Sequence, residues 1–321
     1  MLRCGANSPA APLKFLGKPD RSARNIISQL LEKETKMADT RPYRSVLYIP
    51  AARARALEKA QTLPVDAIIF DLEDAVAADE KIGARDTLAS ALRQDAYGAR
   101  VRIVRINGLD TDWGADDACA VVEMQPDAVL LPKVDGPEHL DALAKITGDL
   151  PIWAMMETPR GMLNAQAIAA HPKLAGMVMG TNDLAKELQT RFRPDRVPLM
   201  TGLGLCLLAA KAEGKLIVDG VYNAFKDEAG LAEECAQGRD MGFDGKTLIH
   251  PAQIAVTNAA FAPSEEEVAL AHRQIAAFEE AEARGQGVAV VDGKIVENLH
   301  VVTARQILAQ SSAIAALEGD A

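Results

Sequence analysis

Two acidic residues of this sequence lie in contexts that suit a divalent cation. Glu157 occurs in MMETPRGM and Asp183 in GTNDLAKEL, and each follows an apolar run that is typical of a β-strand. Carboxylates with free coordination positions are ligands that Mg²⁺ prefers. Each acid would also serve as a helix cap, Asp183 for a helix beginning at Leu184 and Glu157 for the helix after its strand. Metal binding and capping are both open from these two residues alone.

A third group of acids favours metal binding over capping. Asp71, Glu73 and Asp74 follow the apolar run AIIF. So much negative charge at one rim requires a cation or strong hydrogen-bond donors, because uncompensated buried charge is costly. We therefore expect Mg²⁺ at Glu157 and Asp183, with this acidic segment close by.

Basic residues at equivalent positions indicate an anionic ligand. Arg105, in RINGLD, can bind the carboxylate of a small keto or hydroxy acid through two parallel hydrogen bonds. It would also balance the acidic segment, and both roles can be served at once. Lys133, in LLPKV, follows the same logic, although a single lysine beside a strand is often only a counter-charge. For His250, in IHPAQ, we expect a binding role and not a catalytic one.

Eight strand-like runs alternate with amphipathic stretches, the pattern of a parallel sheet with crossover helices. No glycine-rich dinucleotide fingerprint follows the first run, and eight such units favour a closed (β/α)₈ TIM barrel over an open sheet. The predicted strands are 45–50, 67–73, 102–106, 128–133, 152–157, 176–181, 216–221 and 246–250. Predicted helices between them include 138–146 and 228–241.

Polar residues gather where these runs end. In a parallel barrel all such strand ends lie on one face, the face on which barrel active sites are assembled. We therefore expect residues that are dispersed in sequence to converge in space. They are Asp71, Glu73, Asp74, Arg105, Asn107, Lys133, Glu157, Asn182, Asp183, Asp219 and His250.

The pattern changes after Phe261. A charged helical stretch, 264–284, precedes VAVVDGKIVE, in which Asp292-Gly293 is a strong hairpin signal, and a last helix follows. We predict a leader or tail over residues 1–36, a barrel over 37–262 and a helix-hairpin-helix appendage over 263–321. The apolar surface of the appendage would be covered most easily by a neighbouring subunit, so we expect an oligomer.

Composition excludes several classes of protein. A net charge of −10 argues against a protein that neutralises nucleic-acid phosphates or binds an acidic membrane surface. No apolar stretch reaches the ~20 residues that cross a bilayer. The four cysteines lack the paired spacing of a zinc site or a disulfide framework, which indicates a reducing compartment.

Residues 1–36 are polar and basic, and Met37 follows them. They fit a mitochondrial leader loosely, which would place the protein in the matrix, and they also fit an upstream start codon before a true start at Met37. We expect the second arrangement, with a cytoplasmic protein and a disordered tail.

In their order along the chain, the motifs resemble the citrate lyase β-subunit-like and malyl-CoA lyase family of CoA-ester lyases, within the HpcH/HpaI aldolase superfamily. The resemblance covers Arg44 to the C-terminus. It rests on RSVLYIP, DLEDAV followed by Lys81 and Arg85, RINGLD, LLPKV, ETPRG, GTNDL and GFDGKTLIHPAQI, one motif per strand. It implies a TIM barrel, usually a trimer or a pair of trimers, whose C-terminal segment reaches a neighbour's active site.

The resemblance also implies roles for individual residues. Glu157 and Asp183 would hold Mg²⁺, with Mn²⁺ as a substitute, and Arg105 would bind the acyl carboxylate as a catalytic group. The residues placed in the substrate and CoA site are Tyr48, Arg55, Lys59, Arg105, Asn182, Asp183, Ile249 and His250. Those placed around the metal ligands are Asp71, Glu73, Asp74 and Lys133.

The catalytic acid-base residue of the family lies in the C-terminal hairpin, in a segment that resembles Gly-x-x-x-Asp. Here the segment is GKIVENL, and the aligned residue is Glu297, one methylene longer than the usual aspartate. Such a change can move a base by about 1 Å, and misplacement on that scale can cost ~10²-fold in a demanding step. Because thioesterases of malyl-CoA occur in the family, we expect hydrolysis of (S)-malyl-CoA to malate and CoA.

Three alternatives remain. The chain could be a lyase that cleaves malyl-, methylmalyl- or citramalyl-CoA to acetyl- or propionyl-CoA and a keto acid. It could be a citrate lyase β subunit acting on an acyl-carrier thioester, or a catalytically silent barrel. The predicted partners are an acyl-CoA substrate and further copies of the chain, as a trimer or hexamer, with no nucleic acid and no membrane.

Overall fold

Eight parallel strands close into one barrel in a computed structural model that describes residues 41–319. The strands follow one another in sequence order around the barrel, and the last pairs with the first, with Val46 opposite Thr247. The predicted (β/α)₈ TIM barrel is therefore confirmed. The predictions for residues 1–36 lie outside the described part of the chain.

The elements alternate as a barrel requires. The strands are β1 Ser45–Pro50, β2 Ala67–Asp71, β3 Val101–Arg105, β4 Ala128–Leu131, β5 Ile152–Met156, β6 Leu174–Met179, β7 Leu216–Asp219 and β8 Gly245–Leu248. The helices of the barrel are α1 Ala54–Ala60, α2 Lys81–Leu92, α3 Gly114–Met124, α4 Pro137–Thr147, α5 Pro159–Leu163, α6 Ala165–Ala169, α7 Thr181–Glu187, α8 Met200–Ala212, α9 Glu228–Met241 and α10 Ile254–Phe261. Short 3₁₀ turns, Val197–Leu199 and Pro251–Gln253, precede α8 and α10.

Several strands end earlier than the sequence suggests. The structure ends β2 at Asp71, β4 at Leu131 and β7 at Asp219, so the polar residues that follow lie in loops at the barrel mouth. A correction concerns the helix that carries Asp183. The sequence predicts a start at Leu184, but α7 begins at Thr181 because the chain turns directly out of β6.

Alternating side chains of the strands fill two apolar cores. Val46 and Ile69 belong to the cluster inside the barrel, and Leu47 and Ile68 belong to the layer between strands and helices. Trp153 belongs to the cluster inside the barrel and is buried. A Cβ at Gly176 would lie 2.7 Å from the Trp153 ring, so this position needs glycine for the indole to fit.

The C-terminal appendage consists of α11 Glu265–Ala283, the hairpin β9 Ala289–Val291 and β10 Lys294–Val296, and α12 Asn298–Gly319. The turn residues Asp292 and Gly293 have φ values of 49° and 74°, as a type I′ turn requires, so the predicted hairpin is confirmed. One side of the appendage is a small apolar core, and the opposite side exposes Val290, Ile295 and Leu299. The division of the chain between residues 262 and 263 stays a prediction.

Two further observations concern the described residues in general. Among the described helices, none is long and apolar enough to cross a membrane. Within residues 41–319 the cysteines are free, Cys119 on the surface and Cys206 and Cys235 in the interior.

Candidate active site

Glu157 lies directly after β5 at the barrel mouth, with 1% of its surface exposed. Its Oε1 accepts a hydrogen bond of 2.8 Å from the backbone N–H of Lys133. Burial raises the pKa of Glu157 to about 7, and the charges of Glu73 and Asp183 act in the same direction. A Cβ at Gly180 would lie 2.4 Å from Oε2 of Glu157, so glycine is needed beside this carboxylate. The surroundings of Glu157 therefore favour a nearby cation.

Asp183 lies in the first turn of α7 and is half-buried. Its carboxylate accepts no hydrogen bond from the described residues, and its charge acts on Glu157. Neither acid is a helix cap: α7 has Gly180 at its N-cap, and α5 is capped by the Thr158 side chain, which accepts from the Gly161 N–H at 2.9 Å. The structure therefore contradicts the capping alternative for both residues.

The donor set at Glu157 and Asp183 suits a hard divalent cation. Oε2 of Glu157 and both carboxylate oxygens of Asp183 make no hydrogen bond within the described residues. In residues 41–319 there is no group of three or more His, Cys, Asp or Glu side chains arranged to hold a metal. Mg²⁺ commonly takes one or two carboxylates from the protein and completes its shell with water and substrate oxygens. Two carboxylates with free oxygens fit that mode.

The acidic segment after β2 is held in place by cations and by backbone groups. Asp71 accepts hydrogen bonds from the backbone N–H groups of Glu73 at 2.9 Å and Ala75 at 3.0 Å. Lys81 donates its ammonium to the carbonyl oxygens of Leu72 at 3.1 Å and Glu73 at 3.0 Å. Burial raises the pKa of Glu73, although Arg105 and Lys133 oppose the rise.

Arg105 ends β3 and is 7% exposed. Its Nε and Nη2 donate to Asp71 at 2.8 and 2.6 Å, and its Nη1 forms an ion pair with Glu73 at 2.8 Å. The guanidinium carbon lies 5.0 Å from the ring centroid of Tyr48, whose hydroxyl is 3.4 Å from the sulfur of Met155. Arg105 and Tyr48 therefore lie at the mouth together, with most of the guanidinium donors already engaged by acids.

Lys133 follows β4 with a φ of 50°, a left-handed conformation that costs a residue with a side chain about 1–2 kcal/mol. Its ammonium donates to Oε1 of Glu73 at 3.3 Å, and 53% of the side chain is exposed. Burial lowers the pKa of Lys133, but the hydrogen bond to Glu73 and the charges of Glu73, Glu157 and Asp74 together outweigh burial, and the net shift is upward. Lys133 is therefore an accessible cation at the mouth.

The residues predicted to contact CoA lie around the start of the barrel and its closing strand. Arg55 and Lys59 are exposed one turn apart on α1, and their side chains form no ion pair with described residues. Ile249 is exposed after β8. His250 accepts a hydrogen bond from the Ala252 N–H at 3.1 Å through Nδ1, and its ring stacks on Phe225 with centroids 4.5 Å apart. His250 is thus a hydrogen-bond acceptor that caps the Pro251–Gln253 turn.

Asn182 takes part in a reciprocal amide pair. Its Nδ2 donates to Asn223 at 3.2 Å, and the Nδ2 of Asn223 donates back at 2.8 Å. Both residues line a cavity of about 420 Å³ between the ends of β6 and β7, together with Phe192 and Tyr222. Asn182 therefore lines this neighbouring cavity from the helix that also carries Asp183.

Glu297 is exposed and directly follows β10. Its backbone N–H donates to Nδ1 of His300 at 3.0 Å, and its carbonyl accepts from the N–H groups of His300 and Val301 as α12 begins. No described contact joins its carboxylate to the barrel mouth of the same chain. Its predicted catalytic role stays a prediction.

One polar strand-end residue does not join the site. Asp219 is buried, with its oxygens 2.6 and 2.8 Å from Nη1 of Arg196 and 3.0 Å from the ammonium of Lys246. Burial would raise the pKa of Asp219, but these two cations lower it below its usual value. Sequence reasoning did not find this ion-pair network. It also did not find that glycine is needed at position 180 beside Glu157, although the motif GTNDL contains this glycine directly before Thr181.

Comparison with known proteins places this geometry in a family. Residues 44–251 match the family described as HpcH/HpaI aldolase/citrate lyase. The chain belongs to this family. Residues 200–315 also match a family described as C-C bond lyase of the TIM-barrel fold.

Individual relatives agree with the family. The chain is 68% identical over 275 residues to a (3S)-malyl-CoA thioesterase of Cereibacter sphaeroides, covering 86% of this chain and 96% of the relative. It is 34% identical over 294 residues to citrate lyase subunit beta of Escherichia coli, covering 88% and 97%. A crystal structure of CitE from Mycobacterium tuberculosis with magnesium, acetoacetate and coenzyme A is similar, with a TM-score of 0.73 and 31% identity over 85% of this chain and 99% of that one.

Proposed function

We propose that this family member is a Mg²⁺-dependent enzyme that hydrolyses (S)-malyl-CoA to malate and CoA. The observation that carries the proposal is the 68% identity to a (3S)-malyl-CoA thioesterase over 96% of that protein's length. The pair of Glu157 and Asp183, with oxygens available to a hard cation at the barrel mouth, supports it.

The metal assignment rests on donor chemistry and on a relative. CitE of Mycobacterium tuberculosis was crystallised with magnesium. In this chain Glu157 and Asp183 would hold the ion, and Mn²⁺ would serve in its place because it also prefers carboxylate oxygens. A bound Mg²⁺ supplies Lewis-acid stabilisation of negative charge on a substrate oxygen.

The protein groups around that position would bind and orient the malyl unit. Arg105, fixed by Asp71, would bind the acyl carboxylate through the N–H groups that Asp71 and Glu73 leave free. Tyr48, packed against Arg105, restricts where the acyl chain can lie. The fold already holds the Arg105 side chain in one orientation, so little conformational entropy is lost when an anion binds. This favours rapid and specific binding of an anion.

The CoA part would lie across the outer face of the mouth. Arg55 and Lys59 would bind its phosphates, since both are exposed on one side of α1 without a counter-charge among the described residues. Ile249 and His250, exposed after β8, would line the path of the pantetheine arm.

Hydrolysis needs a base that directs water at the thioester carbonyl. Glu297 would take a proton from water, whose oxygen bonds to the carbonyl carbon, and the C–S bond then breaks to release CoA as a protonated thiol. Because Glu297 lies on the exposed hairpin, we propose that it acts in the site of a neighbouring copy, in a homotrimer or hexamer. The exposed apolar residues of the appendage, Val290, Ile295 and Leu299, support a covering subunit.

We also propose a cytoplasmic location, which free cysteines favour.

Carbon–carbon cleavage is the second candidate. It is favoured by the match of residues 200–315 to the C-C bond lyase family and by the identity to citrate lyase subunit beta. In that reaction the base would remove the hydroxyl proton of the malyl unit as the carbon–carbon bond beside the hydroxyl carbon breaks. The products would be glyoxylate and the enolate of acetyl-CoA, which takes up a proton to give acetyl-CoA.

Product identification after incubation with (S)-malyl-CoA and Mg²⁺ decides between the reactions. We expect free CoA and malate in equal amounts, measured by thiol titration and chromatography. Acetyl-CoA with glyoxylate would show the lyase reaction instead. Complete inertness toward malyl-, methylmalyl- and citramalyl-CoA would favour a silent barrel, and inactivity without Mg²⁺ is the control for the metal.

A further inference from the structure

The peptide group that joins Leu72 to Glu73, called here the 72–73 peptide, lies between two buried residues at the barrel mouth and is hydrogen-bonded at both ends. Its carbonyl oxygen accepts from the ammonium of Lys81 at 3.1 Å. Its N–H donates at 2.9 Å to Oδ1 of Asp71, and the same oxygen accepts from Nε of Arg105 at 2.8 Å. One chain of hydrogen bonds therefore runs from Lys81 through this peptide to the guanidinium of Arg105.

A second buried side chain, Asn107, donates to the carbonyl of the 72–73 peptide. Its Nδ2 lies 2.9 Å from that oxygen. Asn107 is itself held by Asp117, whose Oδ2 accepts from the backbone N–H and from Nδ2 of Asn107 at 3.0 and 2.6 Å. Oδ1 of Asp117 accepts from Nε of Arg85 at 2.9 Å. Both donors to the peptide carbonyl are therefore fixed by their surroundings.

Lys81 lies where neither helix stability nor charge balance favours a lysine. It is the first residue of α2, where the helix dipole disfavours a cation, and the first turn of α2 contains no acid. Lys81 is buried, its ammonium also donates to the carbonyl of Glu73 at 3.0 Å and lies 5.2 Å from the ring centroid of Trp113, and it forms no ion pair with described residues. Burying an ammonium without a carboxylate costs stability, so this lysine indicates a role beyond stability.

We propose that Lys81 is a positioning residue for Arg105. Its ammonium fixes the 72–73 peptide, and the N–H of that peptide fixes Asp71 and with it the guanidinium. Hydrogen bonds in a chain polarise one another, so the ammonium also strengthens the bond from the peptide to Asp71. The proposal rests on the proposed function, in which Arg105 binds the acyl carboxylate. Lys81 would thus affect binding of the acyl part without contacting the substrate, and it would leave binding of the CoA part unchanged.

Steady-state kinetics of the full-length protein with Mg²⁺ separates this role from a general loss of structure. The kcat/KM for (S)-malyl-CoA reports on the acyl part, and the inhibition constant of free CoA, a competitive inhibitor, reports on the CoA part. The variants are Lys81→Met and Asn107→Ala, each alone and combined with Asp71→Asn. Circular dichroism verifies folding, and Asn107→Ala carries the test if Lys81→Met does not fold. Lys145→Met, which removes an exposed lysine of α4 without a described partner, is the matched control.

We expect kcat/KM to fall about tenfold in Lys81→Met and by a smaller factor in Asn107→Ala, while the inhibition constant of CoA stays unchanged. Because the effect passes through Asp71, neither change should add to the loss caused by Asp71→Asn, and Lys145→Met should match the wild type. Losses that multiply in the combined variants would overturn the proposal. A parallel rise in the inhibition constant of CoA, or an unchanged kcat/KM, would overturn it too.

Crystal structures of the wild type and of Lys81→Met give an answer that does not depend on turnover. We expect the guanidinium of Arg105 to be displaced from its bidentate pairing with Asp71 in the variant. An Arg105 that keeps its position would overturn the proposal even if activity falls. A wild type that consumes no (S)-malyl-CoA would contradict the proposed function, and the position of Arg105 in the two crystal structures would then decide the role of Lys81 by itself.

Discussion

Arg105 and Asp71 form a buried bidentate pair at the barrel mouth, with Nε to Oδ1 at 2.8 Å and Nη2 to Oδ2 at 2.6 Å. The pair joins the end of β3 to the end of β2, and Asp71 also accepts two backbone N–H groups of its own loop. The guanidinium therefore has one fixed orientation. A substrate carboxylate bound by Arg105, as proposed, would meet a cation whose position is already set by the fold.

Replacing Asp71 by asparagine should leave Arg105 buried with a weaker partner and a shifted guanidinium. We expect kcat/KM for (S)-malyl-CoA to fall by about 10²-fold, because small displacements of a positioning group are costly. The melting temperature should fall as well, since the buried arginine loses part of its compensation. Steady-state kinetics and thermal unfolding measure the two effects. Asp79→Asn, at an exposed position in the following loop, is the matched control and should change neither.

The carboxylates Glu157 and Asp183 should be essential for turnover and not for folding. Glu157→Gln and Asp183→Asn keep the side-chain size and remove the charge that a cation needs. Lewis-acid stabilisation is worth several kcal/mol, so each variant should lose about 10³-fold or more in kcat. Circular dichroism and thermal unfolding in the presence of a chelator should match the wild type. Turnover within tenfold of wild type in both variants would rule out this pair as the metal site.

Asp219 makes stability depend on pH at the acidic end. Burial alone would raise the pKa of Asp219, but Lys246 and Arg196 lower it below its usual value. A group with a lowered folded-state pKa contributes stability above its unfolded pKa, near 3.9, and this contribution is lost as pH falls through the folded value. Asp219→Asn should therefore cost about 3–5 kcal/mol at neutral pH, since two cations are left without their acid, and the difference should shrink in strong acid.

Denaturant unfolding of Asp219→Asn and the wild type between pH 7 and pH 2 measures this difference. Asp79→Asn is the control, because Asp79 is exposed in a loop and its side chain pairs with no described residue. It should leave the midpoint unchanged at every pH. A constant gap between Asp219→Asn and the wild type across the whole range would contradict the assigned pKa direction.

Local signals explain which parts of the fold were predictable. The alternation of SVLYIP gave β1 its observed bounds, and Asp292-Gly293 marked the hairpin turn. Helix α9 has its predicted bounds, and in the structure Asp227 caps its start and Gly242 follows its end. These features depend on neighbouring residues, so periodicity and turn chemistry were enough.

The placement of the polar side chains was easier to predict than their pairings. Glu157, Asp183 and Arg105 were expected on one face because a parallel barrel brings the strand ends together. In the structure Arg105 ends β3, Glu157 directly follows β5, and Asp183 lies in the first turn of the helix after β6. The same rule placed Asp219 there, whereas its carboxylate is turned to Arg196, a residue that adopts a left-handed φ of 51°. Which acid each cation takes depends on side-chain directions and loop conformations far apart in sequence, and no local pattern encodes them.

Arg55 and Lys59 should affect affinity for the CoA part of the substrate and not the chemical step. Hydrogen bonds to charged groups contribute about 1.5–3 kcal/mol, so Arg55→Gln and Lys59→Gln should each raise KM about tenfold at unchanged kcat. The effect should weaken at high ionic strength, because the groups are exposed. Arg53→Gln is the matched control at the residue that precedes the same helix, since Arg53 already pairs with Glu80. An unchanged KM in both variants would exclude this face of α1 from CoA binding.

Glu297 should act in the active site of a neighbouring copy, and subunit mixing can show it. Glu297→Gln and Glu157→Gln should each be inactive alone, because each lacks one part of every site. After the two are unfolded together and refolded as mixed oligomers, some sites combine an intact Glu157 from one copy with an intact Glu297 from another. We expect a substantial fraction of wild-type activity to return, measured as CoA release from (S)-malyl-CoA.

The control for that experiment is the same refolding of each variant separately, which should restore nothing. Activity that stays absent in the mixture, while refolded wild type recovers, would mean that Glu297 does not complete a neighbour's site. Glu297→Asp gives the complementary information about the reaction itself. A carboxylate one methylene shorter should slow hydrolysis by about 10²-fold through misplacement, and an unchanged rate and product ratio would show that the length of this side chain does not select hydrolysis.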